Sequence, residues 1–292
     1  MTEVGTKLST IDRPIYRYWQ AIYHSFFNPR LYVDVAKRWK GLGLIYLLLI
    51  IFIFSIPFAL KFTAEFNQIL NEKMIQPIMN LPTFYVQNGQ VSLDKPMPYF
   101  VKNKKGQVVS IVDTTGVITT IDDKYPEQTI LVTKDKLLLR TFKLDIPLLP
   151  DTNTAQESKI LTYPFDKQSN TVFSGEEWVK TSKINNLKYF VGIMIYLIFA
   201  LVAFGCFLVF ILALALMAQF IAKLFFKISL SYKQSCRLLI VSMTPFMLLF
   251  WLMLAFRYIS TTYNFFLPLT TFIYFCFAVL AVKRESHKLV RT

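Results

Sequence analysis

The residues whose type and spacing could support chemistry lie in one threonine-rich stretch of the chain. Asp113-Thr114-Thr115-Gly116 is followed closely by Asp122 and Asp123. Carboxylates beside hydroxyls can ligate a metal or bind a polar substrate, and this pattern defines the candidate binding residues. They are Asp113, Thr114, Thr115, Asp122 and Asp123. The alternative is that Asp113 and Gly116 form a turn between strands, where both residue types are favoured.

No other pattern in the sequence predicts catalysis. There is no glycine-rich phosphate loop, no HExxH and no nucleophile elbow. His24 and His287 are far apart, and the three cysteines, Cys206, Cys236 and Cys276, lack metal-site spacing. Nothing places a general base beside a nucleophile. We therefore expect a protein without a catalytic residue, a metal or a cofactor.

Four long uncharged stretches predict the helices that frame the segment containing the candidate binding residues. A helix needs about 20 apolar residues to cross the hydrocarbon layer. The uncharged stretches of this length predict four transmembrane helices, at 41–60, 189–222, 238–256 and 258–282. They contain no acidic, basic or histidine side chain, which disfavours an ion-coupled transporter.

The basic residues predict the topology. The formal net charge is +14, and Lys and Arg cluster in the N-terminal segment 1–40, in segment 223–237 and in the tail 283–292. This positive-inside pattern predicts that both termini are cytoplasmic, and anionic lipids rather than nucleic acid explain the basic excess. The candidate membrane-surface residues are Arg13, Arg17, Arg30, Lys37, Arg38 and Lys40.

Residues 12–28 have the pattern of an amphipathic helix, with Ile15, Trp19, Ile22, Tyr23 and Phe26 on one stripe. Asn28-Pro29 is typical of a helix start. We expect the second helix to run on into the first span. The amphipathic helix either lies on the cytoplasmic membrane surface or packs against the spans.

Two further expectations concern the later spans. The stretch 189–222 is too long for one perpendicular crossing, and it predicts one long helix, with a break near Gly205 as the alternative. Pro245 and Pro268 predict a kink in the third and fourth spans, because proline removes a backbone hydrogen bond.

Segment 61–188 is nearly neutral and long enough to be exported regardless of charge. A helix leaving the membrane should be followed by three hairpins, one turning at Asn88-Gly89, and these should form one antiparallel sheet. We expect Val109 and Ile111 to face inward. Ser174 begins a capping-box pattern that predicts a helix leading to the second span.

The fold class expected is therefore an α-helical multi-pass membrane protein with about four transmembrane helices. Its extracytoplasmic α+β domain, residues 61–188, contains a small antiparallel sheet.

Four stretches carry a family resemblance. They are SFFNPRLYVDVAKRWKGLGLIYLLL at the first span, LPTFYVQNGQVSLDKPMPYFV and VVSIVDTTG in the exported segment, and SYKQSCRLLIVSMTP at the third span. Together they resemble the bacterial membrane family known as domain of unknown function 1189. The final membrane hairpin also looks like the Yip-type multi-span family. The resemblance implies a bacterial cytoplasmic membrane location, an extracytoplasmic domain and a helical scaffold, and it transfers no catalytic residue.

The favoured function is a non-enzymatic envelope protein whose exported domain is a sensor or scaffold module that binds a partner or ligand. Membrane lipids and a membrane or envelope protein are the expected partners. The alternatives are a transport-accessory or lipid-handling protein, and a membrane enzyme that uses the Asp113–Asp123 region.

Overall fold

The computed structural model describes residues 13–141, 159–168, 170–258 and 263–291. The chain divides into two compact units. We call them the helical unit, Met1–Lys61 with Ile193–Thr292, and the α+β unit, Phe62–Gly192.

The elements follow one another in a simple order along the chain. The first helices are α1 (Tyr18–His24), α2 (Pro29–Lys37), α3 (Leu44–Phe54), α4 (Ile56–Leu70), a π-helical turn (Asn71–Ile75) and α5 (Gln76–Met79). The strands are β1 (Phe84–Gln87), β2 (Gln90–Ser92), β3 (Tyr99–Lys102), β4 (Val108–Asp113), β5 (Ile130–Thr133), β6 (Lys136–Arg140), β7 (Ile160–Pro164) and β8 (Thr171–Phe173). The remaining helices are α6 (Gly175–Thr181), α7 (Ile184–Phe226), α8 (Tyr232–Ser242), α9 (Thr244–Ala255) and α10 (Tyr263–Arg291).

The start of α2 confirms the helix signal at Asn28-Pro29. The Asn28 side chain accepts a hydrogen bond from the backbone N–H of Arg30, and Pro29 occupies the first helical position. The expectation that α2 continues into the first span is wrong. Gly41 and Gly43 adopt left-handed φ values of 71° and 84°, and the next helix begins only at Leu44.

Two helix pairs are sharply bent. α3 and the helical run Ile56–Met79 meet at 43°, and α8 meets α9 at 44°. Pro245 was expected to distort its helix, and the second bend lies directly before it. The first bend lies before Pro57, which has the same effect on the hydrogen bonds of the preceding turn. Sequence reasoning had overlooked Pro57.

α7 is one continuous helix, and the alternative of a break near Gly205 is wrong. Within the described residues, its segment Lys188–Phe226 is long and apolar enough to cross a membrane. Each bent pair can form one further span, which makes up to three spans in the described part of the chain. The expected boundary between segment 223–237 and the third span falls inside α8.

Within the helical unit, α2 packs against α8 and α10, while α3 packs against α9. Leu31, Tyr32 and Val35 of α2 are fully buried there. The two placements that the sequence left open concern residues 12–28, which contain α1, and the packing of α2 does not decide between them.

The described residues of the α+β unit form two sheets, so the single antiparallel sheet expected from the sequence is wrong. Strands β2-β1-β8 form one sheet and strands β3-β4-β5-β6-β7 form the other. β4 and β5 are parallel, with Ser110 opposite Ile130, whereas the other strand pairs are antiparallel. A parallel pair needs a crossover, which residues 114–129 supply without a helix.

The three expected hairpins are confirmed as the pairs β1/β2, β3/β4 and β5/β6. Asn88 and Gly89 both have positive φ, 50° and 73°, as a type I′ turn requires. Helix α6 begins where the capping box predicted, but the Ser174 side chain makes no cap hydrogen bond.

Strand β4 is buried on both faces, which corrects the expectation of one inward face. Val109 and Val112 belong to the larger hydrophobic cluster, which also receives Ile78 and Phe84. Ile111 belongs to a second cluster with Ile121, Leu131 and Leu138. The loop after β4 covers that second face, so the strand has no solvent side.

Candidate functional site

The Asp113 carboxylate organises the turn that follows β4. Its Oδ1 accepts hydrogen bonds from the backbone N–H of Thr115 at 2.8 Å and from the Thr115 hydroxyl at 2.5 Å. Its Oδ2 accepts from the backbone N–H of Ile118 at 2.6 Å. Gly116 lies between them with a φ of 85°. Asp113 and Gly116 therefore make the turn that the sequence offered as the alternative to a binding site.

The electrostatics of Asp113 agree with this role. Burial raises the pKa of its carboxyl, but the hydrogen bonds from Thr115 and Ile118 outweigh burial, so the pKa lies below its ordinary value. Asp113 is therefore ionised at neutral pH. A carboxylate with three local donors stabilises its loop and has few free lone pairs for a ligand.

The second acidic pair lies on the surface of the same loop. Asp122 accepts a hydrogen bond from the backbone N–H of Lys124 at 3.0 Å, and its carbonyl accepts one from Arg140 at 2.9 Å. Asp123 is exposed and Thr114 is half-buried. Within the described residues, no group of three His, Cys, Asp or Glu side chains is placed to hold a metal ion. Ligand binding by these residues stays a prediction.

The predicted basic cluster is largely accessible. The cations with exposed side chains are Arg13, Arg17, Arg30, Lys37 and Lys40. Arg38 is half-buried, and its guanidinium lies 3.2 Å from the Asp34 carboxylate.

An apolar row lies beside these cations. Ile15, Trp19, Tyr23 and Phe27 recur every four residues, and each side chain is between 63% and 72% exposed. We call these four residues with Arg13, Arg17 and Arg30 the N-terminal surface. Ile22 and Phe26, which the sequence assigned to the same stripe, are partly buried. Aromatic and basic side chains together are typical of helices that lie in a membrane interface.

A buried carboxylate that the sequence analysis missed holds this surface in place. Asp34 is 1% exposed and accepts hydrogen bonds from the backbone N–H groups of Ile15 and Tyr16 at 3.0–3.2 Å. The signal was present, because Asp34 is the single acidic residue between positions 13 and 60. A single acidic residue within a basic segment is expected to form an ion pair, as Asp34 does with Arg38.

Arg237 attaches α2 to α8 at the other end of α2. Its Nη2 donates to the carbonyl of Ala36 at 3.1 Å, and Gln234 donates to the same carbonyl at 3.4 Å. Cations and donors at a helix C-terminus satisfy its free carbonyls and its dipole. Arg237 is 8% exposed, so this contact lies inside the helical unit.

These features define a class of protein: a helical protein with at least one helix able to span a membrane, and with a folded α+β unit inserted in the chain. Residues 19–281 match the sequence profile of the family described as "Protein of unknown function (DUF1189)". The chain belongs to this family, as its motifs indicated. Comparison with curated proteins and with solved structures finds no match.

Proposed function

We propose that this chain is a non-enzymatic integral membrane protein of the bacterial envelope. Its α+β unit would lie outside the cytoplasm and act as a sensor or scaffold module that binds a partner or ligand. The observation that carries this proposal is the continuity of α7. This single helix of 43 residues starts in the α+β unit and continues into the helical unit, so one apolar helix directly follows the folded unit in the chain.

The proposed topology has four spans with both termini in the cytoplasm. The bent pair α3/α4, helix α7, the bent pair α8/α9 and helix α10 would be the spans. α10 covers most of the stretch 258–282 that the sequence assigned to the fourth span. The exposed cations before α3 support this orientation through the positive-inside rule.

Membrane lipids are the first proposed partner. The N-terminal surface would lie on the cytoplasmic leaflet, with Trp19 and Tyr23 in the interface and Arg13 and Arg17 near anionic headgroups. Each Lys or Arg near such a leaflet contributes about 1 kcal/mol to binding. This surface would hold the end of the first membrane helix at a fixed depth.

The proposed protein-binding face lies on the three-stranded sheet. Tyr85 of β1 and Val172 of β8 are opposite each other, and their side chains are 50% and 59% exposed. A cross-strand pair of apolar side chains that points to solvent is typical of a contact surface when more such residues adjoin it. Tyr163 and Phe100 are also exposed, but they lie on the five-stranded sheet and are not part of this proposed face.

Single cysteines test the topology. In a cysteine-free background, a cysteine at Asn103 should react with a membrane-impermeant thiol reagent on intact cells, after the outer membrane is permeabilised where there is one. A cysteine at Ser286 should react only after the inner membrane is opened. The reverse labelling would refute the orientation.

A photo-crosslinking amino acid tests the binding role. Placed at Tyr85 in the full-length protein, it should give one defined cross-linked product in native membranes. The same amino acid at Gln107, in the β3/β4 turn, is the control and should not give that product. Val172→Lys should abolish the Tyr85 product while the protein stays folded. A Tyr85 product that is unchanged in folded Val172→Lys, or that also forms from Gln107, would refute this face.

A cavity in the helical unit supports a second function, lipid handling or transport assistance. It has a volume of about 230 Å³, and its walls include Phe210, Leu214 and Met217 of α7, Phe246 of α9 and Phe272 of α10. Its walls are almost entirely apolar, so it suits a short segment of an acyl chain better than a polar solute. Purified protein in liposomes should then move a fluorescent lipid between leaflets, and Leu214→Trp should block it by filling the cavity. Movement no faster than in empty liposomes would exclude this function.

A further inference from the structure

Strand β7 forms one edge of the five-stranded sheet. It pairs with β6 on one side, and no strand among the described residues pairs with its other side. All five of its residues are exposed, and the side chains of Leu161 and Tyr163 are 36% and 51% exposed. An exposed edge strand presents backbone N–H and C=O groups that are free to pair with another chain.

The hydrogen bonds to β6 show which backbone groups of β7 point outward. The carbonyl of Lys159 accepts from the N–H of Thr141 at 3.0 Å, and the N–H of Phe165 donates to the carbonyl of Asp135 at 2.9 Å. Successive residues of a strand direct their backbone groups to alternate sides. The odd-numbered residues of β7 therefore bond to β6, and the even-numbered residues point to the free side.

Three residues of β7 thus face the free side with their backbone. Ile160 and Thr162 each present one N–H and one C=O there. Pro164 presents only a carbonyl, because proline has no N–H. Edge strands place proline where its missing N–H would face solvent, so the position of Pro164 agrees with this assignment.

The opposite edge of the same sheet is protected against pairing. The register of β3 shifts between Val101 and Lys102, as at a β-bulge, and the strand ends in that lysine. Bulges and lysines are common means of keeping an edge strand from pairing with another chain. The segment Ile160–Tyr163 of β7 has a regular register and no charged residue. β7 is therefore the edge of this sheet that can accept a further strand.

A second copy of β7 fits this edge when it runs antiparallel, with the two-fold axis at Leu161. Ile160 of each copy then lies opposite Thr162 of the other. Each copy donates two backbone hydrogen bonds and accepts two, so the outward groups of both residues are satisfied. The pairing needs no N–H from Pro164. A two-fold contact of this kind is self-complementary and closes as a dimer.

The charges of β7 favour this antiparallel pairing over a parallel one. Lys159 of each copy lies opposite the Tyr163 ring of the other, where a cation and an aromatic face attract each other. The two copies of Lys159 are then about 13 Å apart, four residues along the strand. A parallel pairing would place the two lysines side by side.

The apolar side chains of β7 extend the hydrophobic core toward the second copy. Leu161 lies opposite Leu139 of β6. Tyr163 lies opposite Leu137. Both β6 leucines pack against the larger hydrophobic cluster, so the exposed pair on β7 continues that side of the sheet. The two-fold places Leu161 against its own copy and covers this continuation.

The size of the contact favours copies held in one membrane. A single strand pair buries less than the roughly 1,200 Å² that is typical of a stable interface between soluble proteins. Helix α7 is apolar enough to span a membrane. Two copies anchored in one bilayer have a high effective concentration, which compensates for a small contact.

We propose that β7 is the contact surface for a second copy of this chain, with antiparallel β7 strands joining two five-stranded sheets across a two-fold axis at Leu161. This contact is separate from the proposed protein-binding face, which lies on the three-stranded sheet. It adds self-association to the proposed function.

Cysteine cross-linking tests the register in the full-length protein without its native cysteines. Leu161→Cys should form a disulfide-linked homodimer under mild oxidation, because a non-hydrogen-bonded pair has its Cα atoms about 4.5 Å apart. Tyr163→Cys is the matched control on the same strand and the same face. Its two copies would be about 13 Å apart, which is too far for a disulfide. Non-reducing gels and mass spectrometry identify the products.

A second pair of variants tests the backbone pairing with the native cysteines present. Thr162→Pro removes an outward N–H, and an edge strand tolerates proline at such a position. Thr162→Val keeps the N–H and is the control. Single-molecule photobleaching of labelled full-length protein in liposomes measures the dimer fraction. Thr162→Pro should weaken dimerisation by roughly thirtyfold or more, the effect of two lost backbone hydrogen bonds. Hydrogen exchange of residues 130–140 verifies that β5 and β6 stay folded.

Each outcome decides the inference. A homodimer from Leu161→Cys but not from Tyr163→Cys, together with dissociation in folded Thr162→Pro, supports the contact. Equal cross-linking at both positions indicates random collision and overturns it. A wild-type protein that is monomeric at every protein-to-lipid ratio, or a Leu161→Cys product that contains a different protein, overturns the second copy as the occupant. The partner role of the three-stranded sheet is judged separately, by the cross-link from Tyr85.

Discussion

Gly175 offers a sharp test of the packing between α5 and α6. It is the first residue of α6, and a β-carbon built on it would lie 1.9 Å from the carbonyl oxygen of Ile78 and 2.9 Å from its carbonyl carbon. Both atoms belong to the backbone of α5, so no rotation of a side chain can relieve the contact. Gly175→Ala therefore forces α5 and α6 apart by more than 1 Å before an ordinary contact distance is reached.

The magnitude follows from the kind of atom that must move. Overpacking a well-packed interior costs about 1–3 kcal/mol, and a rigid backbone neighbour places Gly175→Ala at the upper end. A loss of about 3 kcal/mol corresponds to roughly a hundredfold increase in the population of the opened state. The α+β unit is affected because Ile78 and Val179, on the two facing helices, both belong to its larger hydrophobic cluster.

Hydrogen exchange followed by mass spectrometry, on the full-length protein in detergent, measures the local opening of α5 and α6. Peptides from residues 75–82 and 173–182 should exchange roughly a hundredfold faster in Gly175→Ala. Gly205→Ala is the control in α7, because its added β-carbon has no atom within 4 Å. It should leave these peptides unchanged. Wild-type exchange in Gly175→Ala would refute the close approach of α5 and α6.

Three further predictions concern the turn at β1, the loop after β4 and the N-terminal segment. Gly89→Val should destabilise the β1/β2 hairpin by at least about 1–2 kcal/mol, because the φ of Gly89 is 73° and a β-carbon there would lie 3.1 Å from the Cα of Lys167. Faster hydrogen exchange in β1 and β2 would confirm this destabilisation, and unchanged exchange would contradict it. Asp113 has a lowered pKa in the folded state, so its stabilisation is present above the ordinary aspartate pKa and is lost as the pH falls through the folded pKa. Asp113→Asn should therefore reduce the difference in thermal stability between neutral and acidic pH, and a pH dependence equal to that of the wild type would count against this role. Asp34→Asn should weaken the attachment of residues 13–28 by about 1.5–3 kcal/mol, so trypsin should cleave at Arg17 faster than in a Lys37→Ala control, and equal rates would refute the attachment.

Local signals explain what could be predicted from the sequence. The Asn88-Gly89 turn and the Asn28 cap each depend on a few neighbouring residues whose backbone preferences are strong, and the structure confirms both. The long helix α7 was predictable because its uncharged run contains no proline and no turn signal, and the glycine at position 205 does not interrupt it. The bend before Pro245 was predictable for a different local reason, because proline removes a backbone hydrogen bond.

Non-local pairing explains what could not be predicted. The strand pattern shows where hairpins turn, but it does not show that β1 pairs with β8, more than 80 residues away. Likewise, alternation along β4 cannot reveal that a later loop with Ile121 covers its second face. The role of Asp113 was open for a similar reason, because its side chain can bind a ligand or the donors of its own loop. The sequence shows the carboxylate that accepts hydrogen bonds, but it does not show which N–H and O–H groups donate to it.

The helical unit also shows why polar residues deserve more weight in such sequences. Apolar contacts discriminate poorly between helix arrangements in a membrane, because lipid offers the same contacts. Arg237 binds the carbonyl of Ala36, and Tyr46 lies 2.8 Å from the Thr244 hydroxyl. The Thr244 hydroxyl donates its hydrogen to the carbonyl of Val241, which Pro245 cannot satisfy, so Tyr46 must be the donor to Thr244. The bend before Pro245 is thus joined to α3 by a directional hydrogen bond. The few polar side chains among these apolar helices therefore specify which helices meet and where they bend.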